Sequence, residues 1–177
     1  MDAARRLYAS EAWSGLPALV TRFGLHRASV MVGHFGAPTR LSYTALGDGV
    51  NLAARLEPLC KQYGVIALAS DAIVAEARDE FLFRRIDRVA VKGKTQGIDV
   101  YELLGKKGEA IPNLERARRY EEAFDAYLAR DFARAEGILA AQAEADPPSA
   151  VLLERCRVMR DAPPPAGWEG IHVASSK

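Results

Sequence analysis

The chain has 177 residues, 24 Lys+Arg against 23 Asp+Glu for a formal net charge of +1, and a hydrophobic fraction of 49%. At roughly 150 residues per domain this allows one domain with an appendage, and the composition excludes disorder as the main state. Near-neutral charge excludes a general nucleic-acid binder held by a broad basic surface, and no apolar run approaches the ~20 residues that span a bilayer.

Residues 1–19 contain no uninterrupted apolar stretch of the secretory kind. Ala4, Leu7, Tyr8 and Ala12 recur at helical spacing and predict a helix there. The β-branched and aromatic runs 21–26 and 29–33 predict strands, as does 41–46, closed by Gly47. Asp48 is placed to cap a helix running to about Cys60, with Pro58 kinking or ending it. The apolar run 65–69 predicts a further strand, and Ser70 a cap for a helix over 71–77. Segments 81–83, 86–91 and 98–104 predict two or three strands, with polar 92–97 turning the chain between the last two. The pattern is α+β around one sheet.

A linker over 106–113 leads to a different texture. Tyr120, Ala123, Phe124 and Tyr127, then Phe132, Ala135, Ile138 and Leu139, keep helical spacing on either side of a break at Arg130-Asp131. This predicts a helical hairpin resembling a single tetratricopeptide unit, short of the ~3 that a repeat array needs. A third helix is expected over 149–159, within a helical extension over 114–160. The Pro-rich tail 161–177 reads as extended, with Trp168 and Ile171 available as anchors. Cys60 and Cys156 are far apart, which suggests neither a disulfide framework nor a zinc knuckle; they read as reduced cytoplasmic thiols.

The most informative stretch is Arg40-Leu41-Ser42-Tyr43-Thr44-Ala45-Leu46-Gly47-Asp48-Gly49-Val50-Asn51-Leu52-Ala53-Ala54-Arg55. A strand passes through a Gly-Asp turn into a helix on which Asn51 and Arg55, at i and i+4, share a face. A polar pair beside an apolar stripe suits a groove that grips a small anionic ligand. Taken alone, the same pair reads as the solvated face of an ordinary amphipathic helix.

The longer string changes that balance. Phe23-Gly24-Leu25-His26 and Val32-Gly33-His34-Phe35-Gly36 lie upstream, and Val91-Lys92-Gly93-Lys94 and Val100-Tyr101-Glu102-Leu103 downstream. Together and in this order they resemble the class III nucleotidyl cyclase catalytic domain, over about residues 1–105. The resemblance implies a ferredoxin-like sheet with flanking helices and conversion of ATP to cyclic AMP and pyrophosphate, in intracellular signalling. It also implies roles for single residues. Asn51 would orient the ribose, and Arg55 would stabilise the transferring phosphate with a planar, permanently charged guanidinium. Lys92 would contact the distal phosphates; without Arg55 upstream it would read as an exposed hairpin lysine. Thr44 stands at the purine-selecting position, where adenine is favoured over guanine, and reads equally as a strand threonine with a structural hydrogen bond. Arg40 is either a further phosphate contact or a surface residue. Asp48 reads as a helix cap, and the spacing of His26 and His34 implies no metal site. Gly93-Lys94-Thr95 imitates the end of a P-loop, but Arg88 stands where its first glycine is needed.

The family holds Mg or Mn on two carboxylates, one in a Phe-x-Asp-Ile motif and one in a Gly-Asp turn, both ahead of the helix placed here at 1–19. Neither motif stands in this sequence, nor does the early base-selecting lysine; Asp2 lacks a matching context, and Arg27-Ala28 replaces the family's Thr-Gly. The resemblance therefore implies the C-terminal part of a catalytic domain that pairs as a homodimer or as a heterodimer with a cyclase protomer; a homodimer would have no metal site and no activity, so the chain alone is expected to be inactive. Such a sheet would lack its central strands and keep an open edge. The implied location is cytoplasmic, free or on the cytoplasmic side of a membrane-anchored parent. The competing expectations are a non-catalytic regulatory half that pairs with a complete cyclase chain, and a helical interaction protein with a cyclase-like scaffold. Asp146-Pro147-Pro148-Ser149, Leu153-Glu154-Arg155-Cys156 and 164–170 are similar to the C-terminal extension of bacterial adenylyl cyclases, where the simplest role is a packing appendage.

Overall fold

The computed structural model describes residues 20–37, 39–90 and 97–173. The helix expected over 1–19, together with Lys92 and Lys94, lies outside the described residues. The strands are β1 Phe23–Leu25, β2 Met31–Ala37, β3 Arg40–Leu46, β4 Ala67–Ser70, β5 Phe81–Ala90, β6 Gly97–Lys106 and β7 Ile171–His172. The helices are α1 Asp48–Tyr63, α2 Asp71–Ala77, α3 Leu114–Leu128, α4 Phe132–Ala140 and α5 Pro147–Asp161. The class is α+β, as the sequence pattern predicts.

The main sheet has the order β1-β4-β6-β5-β7, while β2 and β3 form a separate antiparallel ribbon. β1 is parallel to β4 and β7 to β5; the β4–β6 and β5–β6 pairs are antiparallel. β1 lies at one edge of the sheet among the described residues, and β7 at the other. The ribbon aligns Gly33 with Thr44 and His34 with Tyr43.

Several elements differ from the sequence expectation for identifiable reasons. Helix α1 runs past Cys60 to Tyr63 with Pro58 inside it. Leu59, Cys60 and Tyr63 are buried, so tertiary packing of the last turn outweighs the hydrogen bond that proline cannot donate. Neither expected cap acts as one: Gly47 holds the N-cap position of α1, with Asp48 inside the first turn, where its carboxylate faces the positive end of the helix dipole. Ser70 does precede α2 but makes no capping bond, because its hydroxyl meets Nδ1 of His26 at 2.7 Å. The strands expected at 81–83 and 86–91 are one strand, β5, with register shifts at Leu82/Phe83 and Arg85/Asp87. The second shift leaves Ile86 as the extra residue, so Arg84, Ile86, Asp87 and Val89 are all buried, which strict alternation forbids.

One hydrophobic cluster joins the sheet to the C-terminal helices. Leu56, Cys60 and Tyr63 of α1, Leu68 of β4, Ile86 and Val89 of β5 and Val100 of β6 pack with residues of α3, α4 and α5. Tyr120, Phe124 and Tyr127 recur along α3 and stack in sequence, with centroids 6.3 and 5.9 Å apart. Trp168 stands edge-on to Tyr127 at 5.0 Å, which holds the tail down so that Ile171 and His172 can pair with β5. Gly24 sits against α1 so closely that a Cβ there would overlap the Ala53 carbonyl oxygen. Only glycine lets β1 and α1 meet backbone to backbone.

Candidate functional site

Helix α1 is fixed by its apolar stripe. Leu52, Leu56, Leu59, Cys60 and Tyr63 are buried at spacings of three and four, and this turns the opposite face outward. Asn51 and Arg55 are exposed on that outward side, one helical turn apart. The start of the helix is pinned by the Gly47 carbonyl, which accepts from the backbone N–H of Val50 at 3.1 Å and of Asn51 at 3.3 Å. The polar pair is therefore presented at the N-terminal end of a helix whose other side is part of the core.

Thr44 lies on β3, exposed, two residues before the strand ends at Leu46. Arg40 is at the other end of the same strand, about 20 Å from Leu46 at the usual strand rise. The structure thus groups Asn51 with Arg55, sets Thr44 near the strand-to-helix turn, and sets Arg40 far along the ribbon. Lys92 is outside the described residues. His26 does not stand on a strand: it follows β1 and is tied to Ser70, and its ring lies beside the backbone of Gly49 in the first turn of α1. His34 is on β2, edge-on to Tyr43 at 5.0 Å.

Among the described residues no group of three or more His, Cys, Asp or Glu gathers closely enough to hold a metal ion. The described donor set does not fit a divalent metal site. Two concave spaces lie elsewhere. One of about 210 Å³ is lined by Arg84, Glu102, Asn113, Arg116 and Asp146; another of about 320 Å³ is lined by Asp71, Arg88, Asp99 and Glu169. Neither is lined by Asn51, Arg55, Thr44 or Arg40. No helix among the described residues is long and apolar enough to cross a membrane.

Two buried ionic groupings were not singled out by sequence reasoning. Arg84 donates to Glu102 at 2.5 Å and forks onto both oxygens of Asp146 at 2.9 Å. Burial raises the Glu102 carboxyl above its ordinary value, with Arg84 pulling the other way. Asp87, fully buried, accepts from the Tyr63 hydroxyl at 2.5 Å and from Arg155 at 2.5 Å. The signal available in the sequence is the charge content of Phe81-Leu82-Phe83-Arg84-Arg85-Ile86-Asp87-Arg88, too high for a strand with one plain solvent face.

Residues 7–105 match the family model of the adenylate and guanylate cyclase catalytic domain. The chain belongs to that family. It is 48% identical over 92 residues to adenylate cyclase 1 of Rhizobium meliloti (strain 1021), covering 52% of this chain and 14% of that protein. It is 40% identical over 93 residues to an adenylate cyclase of Anabaena cylindrica, covering 51% of this chain and 18% of the relative. The chain thus spans well under a quarter of the length of these two cyclases. The crystal structure of the adenylyl cyclase CyaB from P. aeruginosa superposes with a TM-score of 0.51 at 26% identity, covering 62% of this chain and 55% of that one. The cyclase family match ends at Gly105, so α3, α4 and α5 lie beyond it.

Proposed function

We propose that the chain supplies the phosphate-stabilising half of an adenylyl cyclase site, converting ATP to cyclic AMP and pyrophosphate together with a second protomer. In that reaction the ribose 3′-hydroxyl gives its proton up to water as its oxygen bonds to the α-phosphorus, the bond to the β-phosphate bridging oxygen breaks, and pyrophosphate leaves with its electron pair. Charge accumulates on the α-phosphoryl oxygens, so the catalytic contribution is placement plus electrostatic stabilisation. Asn51 would orient the ribose, Arg55 would bind the phosphoryl oxygens as charge builds, Lys92 would bind the distal phosphates, and Thr44 would contact the adenine edge. Arg40, exposed at the remote end of β3, is either a further phosphate contact or a surface residue, and its distance from the strand-to-helix turn favours the latter.

The observation that carries this reading is the presentation of Asn51 and Arg55 one turn apart on the exposed face of α1, within the span that matches the cyclase family. The exposed apolar side chains of the ribbon, Met31 at 67%, Leu41 at 57% and Tyr43 at 70%, suit contact with the second protomer.

The test is complementation. The purified chain with ATP and Mn²⁺ should form no cyclic nucleotide. Adding a cyclase protomer that keeps the two carboxylates but carries alanine at its own Asn and Arg positions should produce cyclic AMP. Turnover by the chain alone would contradict the half-site, and no turnover in the mixture would favour a regulatory half.

A further inference from the structure

We propose that Tyr63, Asp87 and Arg155 are positioning residues that fix the rotation and height of α1, and through it the presentation of Asn51 and Arg55; this rests on the cyclase reading above. Each comes from a different element: Tyr63 ends α1, Asp87 lies on β5 and Arg155 on α5. The Tyr63 hydroxyl donates to Oδ2 of Asp87 at 2.5 Å, Nη1 of Arg155 donates to the same oxygen at 2.5 Å, and Nη2 of Arg155 donates to the Tyr63 oxygen at 3.2 Å. The other Asp87 oxygen accepts from the Arg88 N–H at 2.8 Å. The triangle is closed and satisfied.

The rest of the α1 stripe does this task less sharply. Leu52, Leu56 and Leu59 are buried by a non-directional force, which favours the face but tolerates small rotations, and the Cys60 thiol adds only weak bonds to the Phe23 and Leu56 carbonyls at 3.4 and 3.5 Å. Tyr63 adds a directional, charge-assisted bond at the end of the same stripe. Sliding is opposed as well: a Cβ on Gly64, just past the helix, would lie 2.5 Å from Cβ of Pro147 in the first turn of α5. That end of α5 is held to the sheet by the Asp146–Arg84 pair, and Asp146 caps α5 through the Ser149 N–H. The two motifs that mark the extension in sequence, around Asp146 and around Arg155, thus supply the polar grips of α5 on the cyclase fold, beside the apolar packing of Leu152, Leu153 and Cys156.

The lever is short and stiff. Arg55 is eight residues, or about 12 Å, from Tyr63 along the helix. A rotation of about 20° moves a side-chain tip at about 6 Å from the helix axis by about 2 Å, and about 1 Å of misplacement can cost on the order of 100-fold in rate. Burial, then the neighbouring Asp87, raises the Tyr63 phenol. Burial opposes the Arg155 charge, but Asp87 outweighs it and holds the guanidinium above its ordinary value. The Tyr63 hydroxyl is therefore held neutral and the Arg155 guanidinium charged.

The experiment pairs hydrogen exchange on the full chain with kinetics in the complementing mixture. Tyr63→Phe removes one hydroxyl without changing shape, Arg155→Met removes the fork, and Arg155→Lys keeps the charge. Phe132→Leu, in the same helical unit but off the triangle, is the control for lost stability. Tyr63→Phe and Arg155→Met should raise amide exchange over residues 50–57 at least tenfold, with β5 and β6 unchanged. Both should lower kcat about tenfold with KM for ATP within twofold, and Arg155→Lys should restore part of kcat. Wild-type exchange over 50–57 in both variants, or an equal rise in Phe132→Leu, would overturn the proposal. Exchange that shifts while turnover ignores Arg55→Ala would instead overturn the catalytic reading and leave the positioning of α1 standing.

Discussion

The N-terminal end of α1 emerges from a two-stranded ribbon whose Met31, Val32, Leu41 and Tyr43 are exposed, whereas its C-terminal end closes on the buried Tyr63 and Asp87 and the partly buried Arg155. The first end displays side chains; the second fixes them. On the proposed reading, the displayed groups meet a ligand and a second protomer and so cannot be locked into their own core, and their precision is imported along the helix from a region that is. The contrast also gives the C-terminal helices a place in the economy of the fold: α3 covers β5 with Tyr120 and Phe124, and α5 reaches the end of α1.

If the two ends differ as described, substitutions should separate them. The largest effect is expected at the buried end. Asp87→Ala leaves the Arg155 guanidinium without its partner in the core and should cost about 3–5 kcal/mol, measured by urea unfolding. A loss below about 1 kcal/mol would mean that water reaches the triangle and screens the pair.

Alkaline pH probes the same region. Burial pushes the Tyr127 phenol up to about 12 and raises Tyr120 and Tyr63 as well. An unfolded tyrosine ionises near pH 10. Above about pH 10 the unfolded chain therefore sheds protons that the folded chain keeps, and stability falls as pH rises through that window. Phenolate absorbance from these rings should appear in the same step as loss of helical circular dichroism. Smooth ionisation near the ordinary value with the fold intact would contradict their burial.

Smaller effects belong nearer the displayed end. Ser70→Ala removes the partner of His26 beside the first turn of α1 and should cost about 1 kcal/mol in thermal unfolding. Tyr43→Ser, on the exposed ribbon, should change stability by no more than about 0.5 kcal/mol while weakening complementation with a second cyclase protomer. Equal complementation would remove the ribbon from the protomer contact.

Legibility in the sequence followed the range of the interactions. The stripe from Leu52 to Tyr63 obeys helical spacing, so the buried face of α1 and the outward pairing of Asn51 with Arg55 could be read locally. The extent of β5 could not, because a bulge at Ile86 breaks the alternation that marks a strand. The end of α1 was hidden by Pro58, whose local penalty is overridden by packing around Tyr63. The triangle was least legible of all: Tyr63 and Asp87 are 24 residues apart and Asp87 and Arg155 are 68 apart, and no local rule links them. The motif around Arg155 was visible as a likeness to cyclase extensions, while its partner on β5 was not.

The central claim is that Arg55 meets the transferring phosphate. Its most direct test is steady-state cyclic AMP formation by the complementing mixture with wild-type chain and with Arg55→Ala. The account predicts that kcat falls by about 100-fold or more while KM for ATP changes little, as expected when a group acts on charge that develops in the transition state. Equal kcat in the two mixtures would contradict it.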